Sequence, residues 1–219
     1  MKRISLLFAV LVCGMFVTQA FGTAQAPDKI WYEGKLYDMQ TNPMEPYFAK
    51  NPGMRPNKRN GSSALVRGYL ATFEVVNSGL FLRDIEVIAR EPKGGGVVYT
   101  SVIDEVVPAR QKMKIDWFDG LLVLPHGKLV NYVHMGYGST FENYILLEIA
   151  AGNLKRSKSF DHKEYEAFKD RQFAEFKKTE EYRKLFKEMK KDAADWDQKM
   201  TDSFIRSFVT NYTAKILVD

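Results

Sequence analysis

From residue 27 to residue 152 apolar and polar side chains alternate in short runs, and from Asp161 onward apolar side chains return every three or four positions. The first spacing belongs to a strand with one covered face, the second to a helix with one apolar stripe. Residues 30–32 and 35–37 around Glu33-Gly34 predict a small opening hairpin. Residues 65–76 and 80–89 predict a longer one, turning at Asn77-Ser78-Gly79. In its first arm Tyr69, Ala71, Phe73 and Val75 share one face, and Leu70, Thr72, Glu74 and Val76 the other. Gly94-Gly95-Gly96 predicts a reversal into a strand over 97–107, which Pro108 ends because proline has no N–H for the ladder. Strands over 113–117, 120–124, 128–134 and 143–149 complete the set. So many short strands with near-neighbour turns predict an antiparallel meander, barrel-like or folded as a two-layer sheet.

Past Gly152 glycine and proline vanish, while Lys, Glu, Phe and Ala take over. Tyr165, Phe168, Phe173 and Phe176, continued by Tyr182, Leu185, Phe186 and Met189, predict one amphipathic helix. Trp196, Met200, Phe204, Phe208 and Tyr212 predict a second. The expected fold class is therefore α+β: a β-rich domain over 27–152 and a C-terminal helical segment over 153–219 that packs on it. The stretch 41–63 breaks the alternation. Asn42-Pro43 can open a short helix through Tyr47 and Phe48, since proline is tolerated in a first turn. Residues 51–63 read as a long loop, of a kind that is usually functional or disordered.

Residues 1–26 follow a different rule. Lys2 and Arg3 precede an apolar run from Ile4 to Val17, and small residues recur at Ala20, Gly22, Ala24 and Ala26. That order predicts a secretory signal peptide with a small-residue cleavage site. The run is shorter than the roughly 20 apolar residues a spanning helix needs. The expected mature chain begins at Gln25 or Pro27, periplasmic or secreted, with no integral membrane segment. Cys13 is the only cysteine and departs with the leader, so the body must hold together by packing without disulfides. Val12 before it does not fit a lipidation signal. The formal net charge is +5, and loss of Lys2 and Arg3 leaves +3. That mild excess, with no clustered basic face, argues against nucleic acid as a partner.

The densest chemistry lies over 131–144. With His134 as general base, Ser139 as nucleophile and Asp116 or Glu142 orienting the imidazole, it would read as a hydrolase. Gly136 and Gly138 would bring amides to an oxyanion. The simpler reading is a hairpin whose glycines serve a tight reversal, and no G-x-S-x-G elbow is present to favour catalysis. His126, His134 and His162 lack the H-x-x-x-H spacing of a zinc helix, and Asp104, Glu105, Asp116 and Asp119 match no calcium loop. No metal and no cofactor is expected. Arg55, Lys58, Arg59 and Arg67 could receive a phosphate, a carboxylate or an acidic protein surface, and Tyr137 joins them as a candidate ligand-binding residue. Asn60-Gly61-Ser62 and Asn211-Tyr212-Thr213 are glycosylation sequons.

The segments WYEGKLY at 31–37, NPMEPYF at 42–48, RGYLATFE at 67–74, WFDG at 117–120 and LVNYVHMGYGS at 129–139 carry a resemblance. This set resembles a group of exported bacterial proteins of no known activity. The resemblance implies a shared fold and an exported address, and transfers no catalytic residue. The expected function is that of an exported, non-enzymatic binding protein for a partner protein or a small anionic ligand. An inhibitor or immunity-type role in the periplasm is compatible with it, and the alternative is a hydrolase using His134 and Ser139.

Overall fold

The computed structural model describes residues 23–56, 62–89, 97–107 and 112–218. Within them β1 (Asp28–Tyr32) and β2 (Lys35–Met39) form the expected opening hairpin, and α1 (Glu45–Lys50) follows. The longer hairpin is β3 (Leu70–Val76) and β4 (Gly79–Ile88). A short β5 (Tyr99–Ser101), the single-turn helix α2 (Ile103–Val106) and β6 (Met113–Lys114) lead to β7 (Gly120–Asn131), β8 (Thr140–Ala150) and β9 (Asn153–Asp161). Three of the turns put both central residues at positive φ: Glu33 at 49° and Gly34 at 75°, Asn77 at 48° and Ser78 at 61°, Ala151 at 46° and Gly152 at 65°. That backbone matches the right-handed twist of the strands it joins. A Cβ at Gly152 would also fall 2.5 Å from the Ile115 carbonyl, so glycine is required there twice over.

The strand order is β2-β1-β3-β4-β9-β8-β7, with β5 and β6 pairing β4. All pairs are antiparallel except β1 with β3. The chain between β2 and β3, carrying α1 and a 3-10 turn at Pro52–Met54, crosses over instead of turning back, so the meander is not pure. β4 meets β9 only at Gly79 and Asn153, and there the sheet bends into two leaves. At the far end the Gln40 amide donates to the Val123 carbonyl at 2.9 Å, and the Thr41 hydroxyl bridges Leu121 and Val123, drawing the free edges together.

Between the leaves lie Ile30, Phe73, Leu80 and Ile85 from one side and Leu122, Leu124, Leu147 and Ile149 from the other. β7 reads as an unbroken apolar run because Leu121 and Val123, on its other face, are buried too. They meet Tyr144, Leu146 and the Tyr165 and Phe168 of α3 (His162–Phe176). α3 begins at a capping box, Asp161 accepting from the Glu164 amide and the Glu164 carboxylate from the Asp161 amide. α4 (Glu180–Asp192), α5 (Gln198–Ser207) and α6 (Val209–Tyr212) follow, gathered on Phe176, Tyr182, Ile205 and Val209.

The architecture is α+β with C-terminal helices, as the pattern predicts, but several bounds differ. Over 97–107 the chain forms β5 and then α2, because Val102 and Val106 sit four apart and both are buried while Asp104 and Glu105 face water. β3 starts only at Leu70, and the strand expected over 113–117 shrinks to Met113–Lys114. The strands expected over 120–124 and 128–134 are one, β7, which carries its irregularities between His126 and Asn131. The boundary expected at residue 152 is a hairpin turn, and 153–161 is the strand β9 rather than helix. Its alternation is hard to read because Arg156 and Lys158 share the covered face with Leu154 and Phe160. Their head groups donate to the Ile216 and Val218 carbonyls of the C-terminal tail. The single helix expected over 165–189 divides where the Thr179 hydroxyl caps the Tyr182 amide. The expected Gly94–Gly96 reversal and the Pro108 stop lie outside the described residues.

One ion-pair cluster fastens α5 to α3. Arg206 Nε donates to Asp170 at 2.8 Å and its Nη1 to Glu166 at 3.1 Å, while Lys169 reaches Glu166 at 2.7 Å. The Arg206 hydrogen bond holds the Asp170 carboxyl below its ordinary range. Partial burial would raise Glu166, but Lys169 and Arg206 more than offset it and carry it lower. Carboxyls lowered in the folded state stabilise it above their unfolded pKa of about 4, and that stability is lost as pH falls through the folded values. Acidification below about pH 4 is therefore expected to loosen α5 from α3, read in the fluorescence of Trp196, whose ring lies 5.4 Å from that of Phe204. Arg206→Met should remove the step; an unchanged acid midpoint in that variant would assign it elsewhere.

Candidate functional site

The residues singled out for hydrolysis do not converge. Ser139 sits at the β7–β8 hairpin tip, where its Oγ accepts from the Val133 amide at 3.0 Å and donates to the Val133 carbonyl at 3.3 Å. His134 Nδ1 shares a hydrogen bond with the Tyr132 hydroxyl at 2.8 Å, both side chains exposed. Glu142 accepts from the Lys128 amide at 2.9 Å across the irregular stretch of β7. Asp116 is an exposed turn residue before β7, and the twelve residues of that strand, about 3.3 Å each, separate it from the tip. Among the described residues no hydrogen bond joins His134 to Ser139, Asp116 or Glu142. The Gly138 amide, offered as an oxyanion donor, is spent on the Met135 carbonyl at 3.0 Å. No group of three or more His, Cys, Asp or Glu side chains is placed to hold a metal ion among the described residues.

Of the predicted ligand-binding residues, Arg55, Arg67 and Tyr137 do come together, while Lys58 and Arg59 lie outside the described residues. Asp28 starts β1 on the same face as Ile30 and Tyr32, and so is carried into the core. A buried carboxylate needs partners. It takes Arg67 Nη2 at 2.8 Å, the Asn42 amide group at 2.8 Å and the Ala71 backbone N–H at 2.9 Å. The side chains of Arg67 and Asp28 are 9% and 0% exposed. Burial pushes the Asp28 carboxyl up, with the Arg67 charge, the Ala71 amide and Asn42 pulling back against it. Arg67 Nη1 also donates to the Tyr137 hydroxyl at 3.0 Å, tying the hairpin tip to β1. Burial pushes the Tyr137 and Tyr69 hydroxyls above the ordinary phenol range.

Arg55 makes the second pair, a two-pronged grip on Glu45 of α1 at 3.1 and 2.7 Å, with the Tyr69 hydroxyl donating to the same carboxylate at 2.7 Å. Its guanidinium carbon stands 5.1 Å over the Phe48 ring. Reading charge along the loop identified the arginines and missed Asp28, Asn42, Glu45 and Tyr69. The parity of Asp28 with Ile30 was the available signal. A cleft of about 460 Å³ opens beside this network, and among the described residues its walls carry Glu45 and Asp119 but neither lysine nor arginine.

The other open feature is apolar. The hairpin tip projects beyond the sheet, leaving Leu129, Val130, Tyr132 and Met135 on the surface, with Tyr132 57% and Met135 52% exposed. Between the tip and α5 runs a groove of about 680 Å³, walled by Met135, Trp196, Met200, Phe204 and Phe208. Lys199 lines it, exposed and without an ion pair among the described residues. No helix among the described residues is long and apolar enough to cross a membrane. Comparison of the chain with protein-family models, with curated proteins and with solved structures finds no match.

Proposed function

We propose that this is an exported, non-enzymatic interaction protein that binds a partner protein in the groove between the hairpin tip and α5. The observation that carries it is a contrast. Ser139, His134, Glu142, Arg55 and Arg67 are each bonded within the chain, whereas the groove beside Met135, Met200 and Phe204 stays open. Contiguous exposed apolar surface of this kind marks interaction sites. A small anion is the weaker partner, because Glu45 and Asp28 already neutralise the arginines that would receive it. Lys199 in the groove wall, without an ion pair among the described residues, favours an apolar segment bordered by acidic side chains. An inhibitor or immunity-type role fits that mode of binding.

Met200 is half-exposed, so Met200→Glu should fold while placing a charge in the groove. Full-length protein exported in its host is expected to recover one partner at stoichiometric level. Met200→Glu should weaken that binding about tenfold or more, equivalent to ~1.4 kcal/mol, and His134→Ala should leave it intact. Absence of a stoichiometric partner, or a hydrolytic activity lost in both His134→Ala and Ser139→Ala, would defeat the proposal.

A further inference from the structure

The cleft of about 460 Å³ beside the Asp28–Arg67 network continues inward. A second chamber of about 230 Å³ adjoins it, and Gln40, Tyr137, Thr210 and Asn211 border both. Together they make one trough between the sheet and α5–α6, within the roughly 300–1,000 Å³ of ordinary ligand sites. Gly138, Ser207 and Phe208 divide its inner end from the apolar groove.

The charged groups of this trough are already paired. At the inner end Lys169 and Arg206 are held by Glu166 and Asp170. At the outer end both oxygens of Glu45 accept from Arg55. Asp119 accepts from the Ala151 amide at 2.8 Å through one oxygen, and the other is left for a ligand hydroxyl. The groups that remain open are neutral. The side-chain amides of Gln40, just past β2, and Asn211, on α6, make no hydrogen bond among the described residues, and neither does the Thr140 hydroxyl. Tyr137 and Tyr212 add aromatic rings to the outer wall.

We infer that this trough is a binding site for a neutral saccharide, distinct from the groove that takes the partner protein. A side-chain amide sets a donor beside an acceptor, a pattern that two neighbouring sugar hydroxyls complete. The negative faces of the tyrosine rings suit the C–H faces of a pyranose. A phosphate or carboxylate would meet no unpaired cation here among the described residues. An apolar segment would bury the Gln40 and Asn211 amides without partners, which is costly. An extended peptide is read by the free backbone of a strand edge. That edge is closed here, because the Gln40 backbone amide donates to Val123 and the Thr41 hydroxyl bridges Leu121 and Val123. The trough presents side-chain amides and hydroxyls instead.

Isothermal titration of the purified protein with maltotriose, cellotriose, mannotriose and chitotriose tests the assignment. At least one of these sugars is expected to bind. Gln40→Ala and Asn211→Ala should each weaken that binding about threefold or more, the scale of one lost hydrogen bond. Met200→Glu, in the groove, should leave it unchanged. Neither amide side chain is bonded within the described residues, so both variants should unfold at the parent's temperature, which separates a lost contact from a lost fold. Binding of none of these sugars, binding indifferent to both amides, or loss in Met200→Glu would each overturn the inference. Tighter binding of deacetylated chitotriose than of chitotriose would overturn it as well, by making the ligand a cation.

Discussion

Asp28→Ala is expected to cost about 3–5 kcal/mol of unfolding free energy, the scale for stripping one partner from a buried ion pair. It leaves Arg67 charged in a site with 9% of its side chain exposed, takes the acceptor from the Ala71 N–H and leaves the Asn42 amide group only its bond to the Tyr137 hydroxyl. Against the ~5–15 kcal/mol that holds a typical domain together, such a loss brings the protein near its limit. Arg67→Met should be of similar size, since it leaves the Asp28 carboxylate buried among too few donors. The double variant Asp28→Ala with Arg67→Met should cost clearly less than the two single losses combined, because it removes both charges together. Urea denaturation of the four chains measures this directly. Additive losses would show that the two side chains act independently, contrary to the 2.8 Å contact between them.

Phe168→Ala is the second large effect, expected at about 3–5 kcal/mol for removing a buried ring that cannot be replaced by collapse. Phe168 is 1% exposed, and its ring lies 5.0 Å from that of Phe160 on β9, at the contact between α3 and the outer face of the sheet. The variant also tests whether helices and sheet unfold together. The C-terminal tail is stitched to both layers. Arg156 and Lys158 of β9 donate to the Ile216 and Val218 carbonyls, while Gln172 of α3 donates to the Lys215 carbonyl and accepts from the Leu217 amide. A single transition shifted to lower denaturant is therefore expected, reported equally by far-ultraviolet dichroism and tryptophan fluorescence. A helical signal that melts separately would make the C-terminal helices an independent unit.

Where one face of an element is covered and the other is wet, its period was legible from residues alone. The β1–β2 and β3–β4 hairpins and the apolar stripe of α3 are of this kind. Legibility failed where long polar side chains lie along covered surface. In β9, Arg156 and Lys158 lay their stems against the fold and send their charges to the chain terminus, so the strand looked like the start of a helix. It failed again in α2, where two valines four apart outweighed the β-preference of the stretch around them. At the candidate site, Arg55, Arg67 and Tyr137 were recognisable by type, but the carboxylates that neutralise the arginines come from β1 and α1. Which acid meets which arginine depends on the parallel crossover between β2 and β3, which local alternation does not encode.

The amino-acid order by itself determined that strands would precede helices, that the class would be α+β, and that packing rather than disulfides would hold residues 27–219, because these follow from local periodicity and composition. Only the tertiary structure decided that Asp28 would be buried against Arg67, that Glu45 would take Arg55, and that the hairpin tip and α5 would leave a groove between them. Those outcomes depend on side chains from distant elements meeting, and no local spacing records which of them will.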